Sequence, residues 1–171
     1  ALAGLLTSMR DAEGRITIEG FYDSVVTPSE SDSKQIGEIP GDDTRYAAEL
    51  GVDQLFGEPG YSTRERAWTR PTLEVNGIWG GFTGEGVKTV LPSQAHAKIT
   101  CRLVPDQEPD DIVACIQDHV RRFTPPGTTL TVTASHSGAR PYLVPADHPG
   151  NLAARDVLTE IYGQPPYHTR T

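Results

Sequence analysis

Apolar and polar positions alternate most regularly at residues 96–103. Ala97, Ile99, Cys101 and Leu103 fall on one side, and His96, Lys98, Thr100 and Arg102 on the other. A period of two predicts a half-buried strand, because successive side chains of an extended chain point to opposite faces. A second strand is expected just after Arg70-Pro71, with Leu73, Val75 and Trp79 on one face and Glu74 and Asn76 on the other. Gly80, Gly81, Gly84 and Gly86 make the connection between the two a flexible loop. Leu130, Val132 and Ala134 alternate with Thr131, Thr133 and Ser135, which predicts a further strand, and Ile16 and Ile18 alternate with Arg15 and Thr17 in a short one.

The period changes to that of a helix after Pro109. Ile112, Val113, Ile116, Val120 and Phe123 share one face, Asp110 and Asp111 stand in the first turn, and Arg121 and Arg122 stand near the end. Proline fits the first helical turn, and these charges complement the helix dipole. Pro125-Pro126-Gly127 stops the helix. Residues 3–12 read as the end of an amphipathic helix closed by a turn at Glu13-Gly14, and a last helix is expected from Leu152 to Tyr162, capped by Asn151 and ended by Gly163 and Pro165-Pro166. Between Gly20 and Thr69 the chain turns polar, with helical possibilities near 28–37 and 43–56, and reads as a long surface excursion. The order predicts an α+β layer: an antiparallel sheet with helices on one face and a polar face left open.

Composition narrows the choice of partners. The 171 residues carry 23 acidic and 15 basic side chains, a formal net charge of −8. Like charges would meet if such a chain bound a phosphate backbone, so nucleic acid is not an expected partner. No apolar run approaches the roughly 20 residues a spanning helix needs, and no membrane association is expected. The chain opens Ala1-Leu2-Ala3-Gly4, with no basic leader and no initiator Met, which suggests a start inside a longer protein. Cys101 and Cys115 are expected as buried free thiols, in keeping with a reducing cytoplasm.

Catalytic chemistry is sparse. The five histidines, His96, His119, His136, His148 and His168, include no two at a metal-ligand spacing, so no self-contained metal site is expected. No Gly-x-Ser-x-Gly occurs, and neither cysteine stands in an activating context. Gly81-Phe82-Thr83-Gly84-Glu85-Gly86-Val87-Lys88-Thr89 approaches a phosphate loop, but Val87 breaks its spacing and Leu91-Pro92 occupies the place of a helix start. The segment reads as a connection between strands. Arg102 projects from a strand onto the polar face, where a guanidinium can grip a carboxylate with two prongs, or simply be solvated or paired with a local acid. His136 follows a predicted strand; a lone histidine there is structural or exposed.

Three runs carry a resemblance. Arg70-Pro71-Thr72-Leu73-Glu74-Val75-Asn76-Gly77-Ile78-Trp79-Gly80-Gly81 is followed by Gly84-Glu85-Gly86-Val87-Lys88-Thr89-Val90-Leu91-Pro92, and then by Ala97-Lys98-Ile99-Thr100-Cys101-Arg102-Leu103-Val104-Pro105. Together they resemble the lid domain of the carnosine dipeptidase, aminoacylase and succinyl-diaminopimelate desuccinylase family, with the cytosolic dipeptidases as the most similar branch. Gly-Phe-Tyr-Asp at 20–23 and Gly-Ala-Arg-Pro-Tyr at 138–142 resemble it too.

The resemblance implies a ferredoxin-like two-layer sandwich inserted between the halves of a catalytic domain that carries two zinc or manganese ions. It implies a homodimer formed through the lid, and a dipeptide or N-acyl amino acid as substrate. It also implies that Arg102 binds the substrate's terminal carboxylate, that Thr89 reaches the partner subunit's active site, and that His136 contacts substrate or stabilises an oxyanion in its own subunit. The family's metal-binding residues have no counterpart here. Residues 1–150 are therefore expected to be the lid, with an irregular excursion at about 20–69, and residues 151–171 the start of the second catalytic half. Such a piece alone is expected to bind no metal and to be inactive. The rival reading is a non-catalytic small-ligand-binding or dimerisation module.

Overall fold

The computed structural model describes residues 1–135 and 138–170. Six helices and two strands follow in order: α1 (Leu2–Thr7), α2 (Glu30–Glu38), α3 (Asp43–Leu50), α4 (Thr63–Thr69), β1 (Glu74–Gly80), β2 (Ala95–Thr100), α5 (Pro109–Phe123) and α6 (Pro149–Tyr162). This is the expected α+β arrangement. β1 and β2 pair antiparallel as a hairpin, and the core lies between that hairpin and the helices α1 and α5. Leu5, Met9, Ile16, Ile18, Phe21, Leu73, Ile112 and Val120 are buried there, with Ile99, Cys101, Leu103 and Ile116 packed against them. The inward set of the 96–103 alternation therefore meets the helices, while His96, Lys98, Thr100 and Arg102 stay exposed.

α5 forms where its signals stand. Pro109 occupies the first turn with Asp110 and Asp111, Arg121 and Arg122 the last, and Ile112 and Val120 are buried. The excursion is more regular than its composition predicts. α2 and α4 each begin with a capping box, Ser29 with Asp32 and Ser62 with Glu65, which satisfies two otherwise orphaned backbone donors at each start. α3 begins at Asp42, whose side chain accepts from Thr44 and Arg45. α4 was not expected from periodicity, because a seven-residue helix shows barely two turns of pattern.

Four expectations need correction. Trp79 does not share a face with Val75. The ladder runs Glu74↔Thr100 and Val75↔Ile99, then Gly77↔Lys98, Ile78↔Ala97 and Trp79↔His96, with a shift between Val75 and Gly77. Asn76 is the extra residue of a bulge, and a one-residue insertion turns every later side chain to the opposite face. Trp79 thus stands on the polar side, stacked on His96 with centroids 5.0 Å apart.

The alternation at 130–134 forms no ladder among the described residues, so the sheet has two strands. Leu130 and Val132 instead line a pocket with Val120 and Arg121 of α5 and with Thr124, which caps that helix. Both Leu130 and Val132 remain exposed. Ile16 makes only an isolated bridge to Arg10. Finally, α6 is capped by His148, whose Nδ1 accepts from the Gly150 backbone, and Pro149 takes the first turn. Asn151 lies inside the helix and donates to the Pro145 carbonyl.

Candidate functional site

The hairpin fixes where the candidate side chains can be. At its closed end, Gly80 has φ 145°, and a Cβ there would lie 2.8 Å from Ala95 Cα and from Gln94 O. Only glycine lets the strands approach this closely at the mouth of the loop. Beyond it, the Val90 backbone donates to the Lys88 carbonyl at 2.8 Å, which makes Thr89 the central residue of a three-residue turn. Thr89 is exposed. Lys88 Nζ sits 5.9 Å from the Phe82 ring centroid, close enough for a weak cation–π attraction across the loop. The loop runs back into β2 without a helix, as a connection between strands does.

Arg102 lies at the opposite, open end. Hydrogen bonding continues two residues beyond the strand ends: the Thr72 backbone donates to the Arg102 carbonyl at 2.9 Å, and the Arg102 backbone donates to Thr72 Oγ1 at 3.1 Å. The Arg102 side chain is exposed, and among the described residues no carboxylate forms an ion pair with it. Of the alternatives open from sequence, pairing with a local acid is not seen among the described residues. From Ala95 to Arg102 an extended chain covers roughly 23 Å, and Thr89 lies in the loop that precedes Ala95. His136 lies outside the described residues.

Between them the open face carries Trp79, His96 and Lys98, with Lys98 Nζ 5.8 Å from the Trp79 centroid. Periodicity pointed away from Trp79, because the bulge has no signature beyond Asn76-Gly77.

Beneath the open end lies a buried ion pair that sequence reasoning missed. Arg70 Nε and Nη2 each donate at 2.8 Å to one oxygen of Glu58, and both residues are 7% exposed. Tyr22 and Tyr61 flank the guanidinium, with centroids 4.8 and 4.6 Å from its carbon. Burial disfavours the Arg70 charge, and the Glu58 carboxylate together with Tyr61 and Tyr22 offsets this, so the net shift is upward. Pro71 follows directly and carries this fixed point to Thr72. An Arg-Pro dipeptide before a strand was the available signal, but its acidic partner, twelve positions back on a loop, had none.

Among the described residues no group of three or more His, Cys, Asp or Glu is placed to hold a metal ion. Cys101 and Cys115 are free and half-buried. Burial, with the Glu74 carboxylate adding to it, pushes the Cys101 thiol up to about 11, and burial raises Cys115 also. Neither is poised as a nucleophile. No helix among the described residues is long and apolar enough to cross a membrane.

Comparison with known proteins matches this geometry to a family. The profile of the peptidase dimerisation domain matches residues 1–128. The Homo sapiens beta-Ala-His dipeptidase is 27% identical over 167 residues, which cover 96% of this chain and 33% of that protein. The Cys-Gly metallodipeptidase dug1 of Schizosaccharomyces pombe is 27% identical over 175 residues, 99% of this chain and 36% of that protein. Among solved structures, the M20 family metallo-carboxypeptidase Sso-CP2 from Sulfolobus solfataricus superposes with a TM-score of 0.78 at 29% identity, covering 99% of this chain and 38% of that one. Human carnosine dipeptidase 1 gives 0.72 at 26% identity, with 99% and 36% covered. The chain spans about a third of the length of these relatives.

Proposed function

The chain belongs to the peptidase dimerisation domain family, and from that premise we propose that it is the lid and dimer-forming part of a metal-dependent hydrolase of dipeptides or N-acyl amino acids. Residues 1–150 are the lid. Residues 151–171 open a further catalytic segment, a reading supported by α6, which begins at Pro149 just before it: the helix has no buried residue, and Val157, Ile161 and Tyr162 are more than half exposed along it. An amphipathic helix of this kind requires an apolar surface to cover it. The whole protein is a cytoplasmic homodimer.

The observation that carries the reading is Arg102. It is an exposed guanidinium with no ion-pair partner among the described residues, on a backbone held by two hydrogen bonds, and its planar fork can grip a carboxylate with two prongs. Arg102 binds the terminal carboxylate of the substrate and aligns its scissile bond. Thr89, at the far end of the same hairpin, contributes to the site of the partner subunit, and His136 contacts substrate or the developing oxyanion in its own subunit. The described side chains do not fit a metal centre. The two divalent ions, zinc or manganese, that such an activity uses are held by other parts of the whole protein, and this chain alone is inactive.

The test is Arg102→Ala in the whole enzyme, assayed on beta-Ala-His. Loss of a charge-assisted contact raises KM roughly tenfold to a hundredfold and lowers kcat less. A change confined to thermal stability would contradict the role.

A further inference from the structure

Arg102 stands two residues beyond the end of β2, where a strand frays unless something replaces the ladder. In a regular antiparallel ladder every second pair is hydrogen-bonded, its two residues exchanging both N–H and C=O. Here only half of that exchange is made by backbone: Thr72 N–H donates to the Arg102 carbonyl at 2.9 Å. The other half is made by a side chain, with Thr72 Oγ1 accepting from the Arg102 N–H at 3.1 Å. Thr72 is itself held from behind. Pro71 restricts the backbone preceding it, and Arg70 is locked by the buried, two-pronged Glu58 contact between two tyrosine rings.

From this geometry we propose that Thr72 is the positioning residue of the carboxylate subsite, its hydroxyl setting the backbone from which Arg102 reaches substrate. The inference rests on the reading of Arg102 given above. A guanidinium at the tip of a long side chain discriminates by direction only if its own Cα is fixed, because small backbone rotations are magnified along the side chain. Thr72 touches no substrate. It acts through Arg102 alone, so its effect is confined to ligands that carry a carboxylate for Arg102 to grip.

The test uses the whole enzyme with beta-Ala-His and the corresponding C-terminal carboxamide. Thr72→Val keeps the shape and removes the acceptor; Thr72→Ser keeps the acceptor. Loss of one hydrogen bond predicts a KM for beta-Ala-His raised about fivefold in Thr72→Val with kcat nearly unchanged. Thr72→Ser restores the wild-type KM, the carboxamide is insensitive to either change, and Thr72→Val adds nothing in an Arg102→Ala background. Amide hydrogen exchange at Arg102, faster in Thr72→Val than in Thr72→Ser, reads the same contact independently of turnover. If Arg102→Ala raises KM while Thr72→Val does not, the positioning role is wrong and the carboxylate site stands. If Arg102→Ala leaves KM unchanged, the carboxylate site falls and takes this role with it. Equal effects of Thr72→Val on both ligands would also overturn it, since they would mark a general structural contribution.

Discussion

Ser8 Oγ and His119 Nε2 lie 2.9 Å apart and join the end of α1 to α5 across 111 residues of sequence. The Ser8 hydroxyl donates to the Leu5 carbonyl at 2.7 Å, so its oxygen accepts from an Nε2–H of His119. The ring is 4% exposed and stacks on Phe123 with centroids 4.4 Å apart. Desolvation, and then the charge of Arg122, hold the His119 pKa below its ordinary value. A histidine with a depressed folded pKa favours folding when neutral. Its contribution is complete above the unfolded value of about 6.5 and is lost as pH falls through the folded value. The urea midpoint is therefore expected to fall below about pH 6.5. In His119→Gln that part of the slope disappears. An identical acid slope in the variant would assign the dependence to other groups.

The Glu58–Arg70 pair predicts a large, asymmetric stability effect. Removing Glu58 strands the Arg70 guanidinium, which is 7% exposed, and Glu58→Ala is expected to cost about 3 kcal/mol or more; Arg70→Ala costs less, because Glu58 keeps Arg15 at 3.4 Å. Changing both together to apolar residues costs less, because no charge is left behind. Urea denaturation of the two single variants and the double variant measures this, and additive losses would contradict it.

The bulge at Asn76 makes a prediction about Trp79. Lying on the open face with His96 and Lys98, Trp79→Ala should lower stability by only about 1 kcal/mol, the value of an exposed stack and cation–π pair. Leu73→Ala, in the core, should cost about 3 kcal/mol. Thermal or urea unfolding of the two variants distinguishes this face assignment from the one periodicity predicts, in which Trp79 would be the costlier loss.

The thiols should be inert at neutral pH. With its pKa pushed up to about 11, Cys101 is almost wholly protonated, and Cys115 is shifted the same way. Iodoacetamide labelling followed by mass spectrometry is expected to modify neither quickly in the native state and both quickly in urea. Rapid native labelling of Cys101 would contradict its placement against the core.

What could be read in the sequence was whatever depends on local period and capping. The alternation of 96–103 placed Ile99 and Cys101 inward and Arg102 outward, because β2 contains no irregularity. The charges and Pro109 of α5 marked both its ends. The same rule failed at Trp79, where one bulged residue reverses the faces without changing the pattern before it. It also missed α4, a helix too short to show a period, although Ser62 and Glu65 spelled its cap. At 130–134 the alternation exists, but pairing depends on the partner edge and no local signal reports it. The Glu58–Arg70 contact and the Thr72–Arg102 clamp join residues distant in the chain, and only the fold brings them together. The roles of Arg102 and Thr89 rest on resemblance, and the fold adds that one follows β2 while the other lies in the loop before it.

The proposed roles of Arg102 and Thr89 in different subunits allow the most direct test. Each active site is proposed to take Arg102 from its own subunit and Thr89 from its partner. Whole-enzyme variants Arg102→Ala and Thr89→Ala should each be impaired on beta-Ala-His, and mixing them by dissociation and reassociation should form heterodimers with one repaired site each. Random pairing predicts recovery to about a quarter of wild-type activity. No recovery, with heterodimers demonstrably formed, would contradict the account of this chain as a lid that completes its partner's active site.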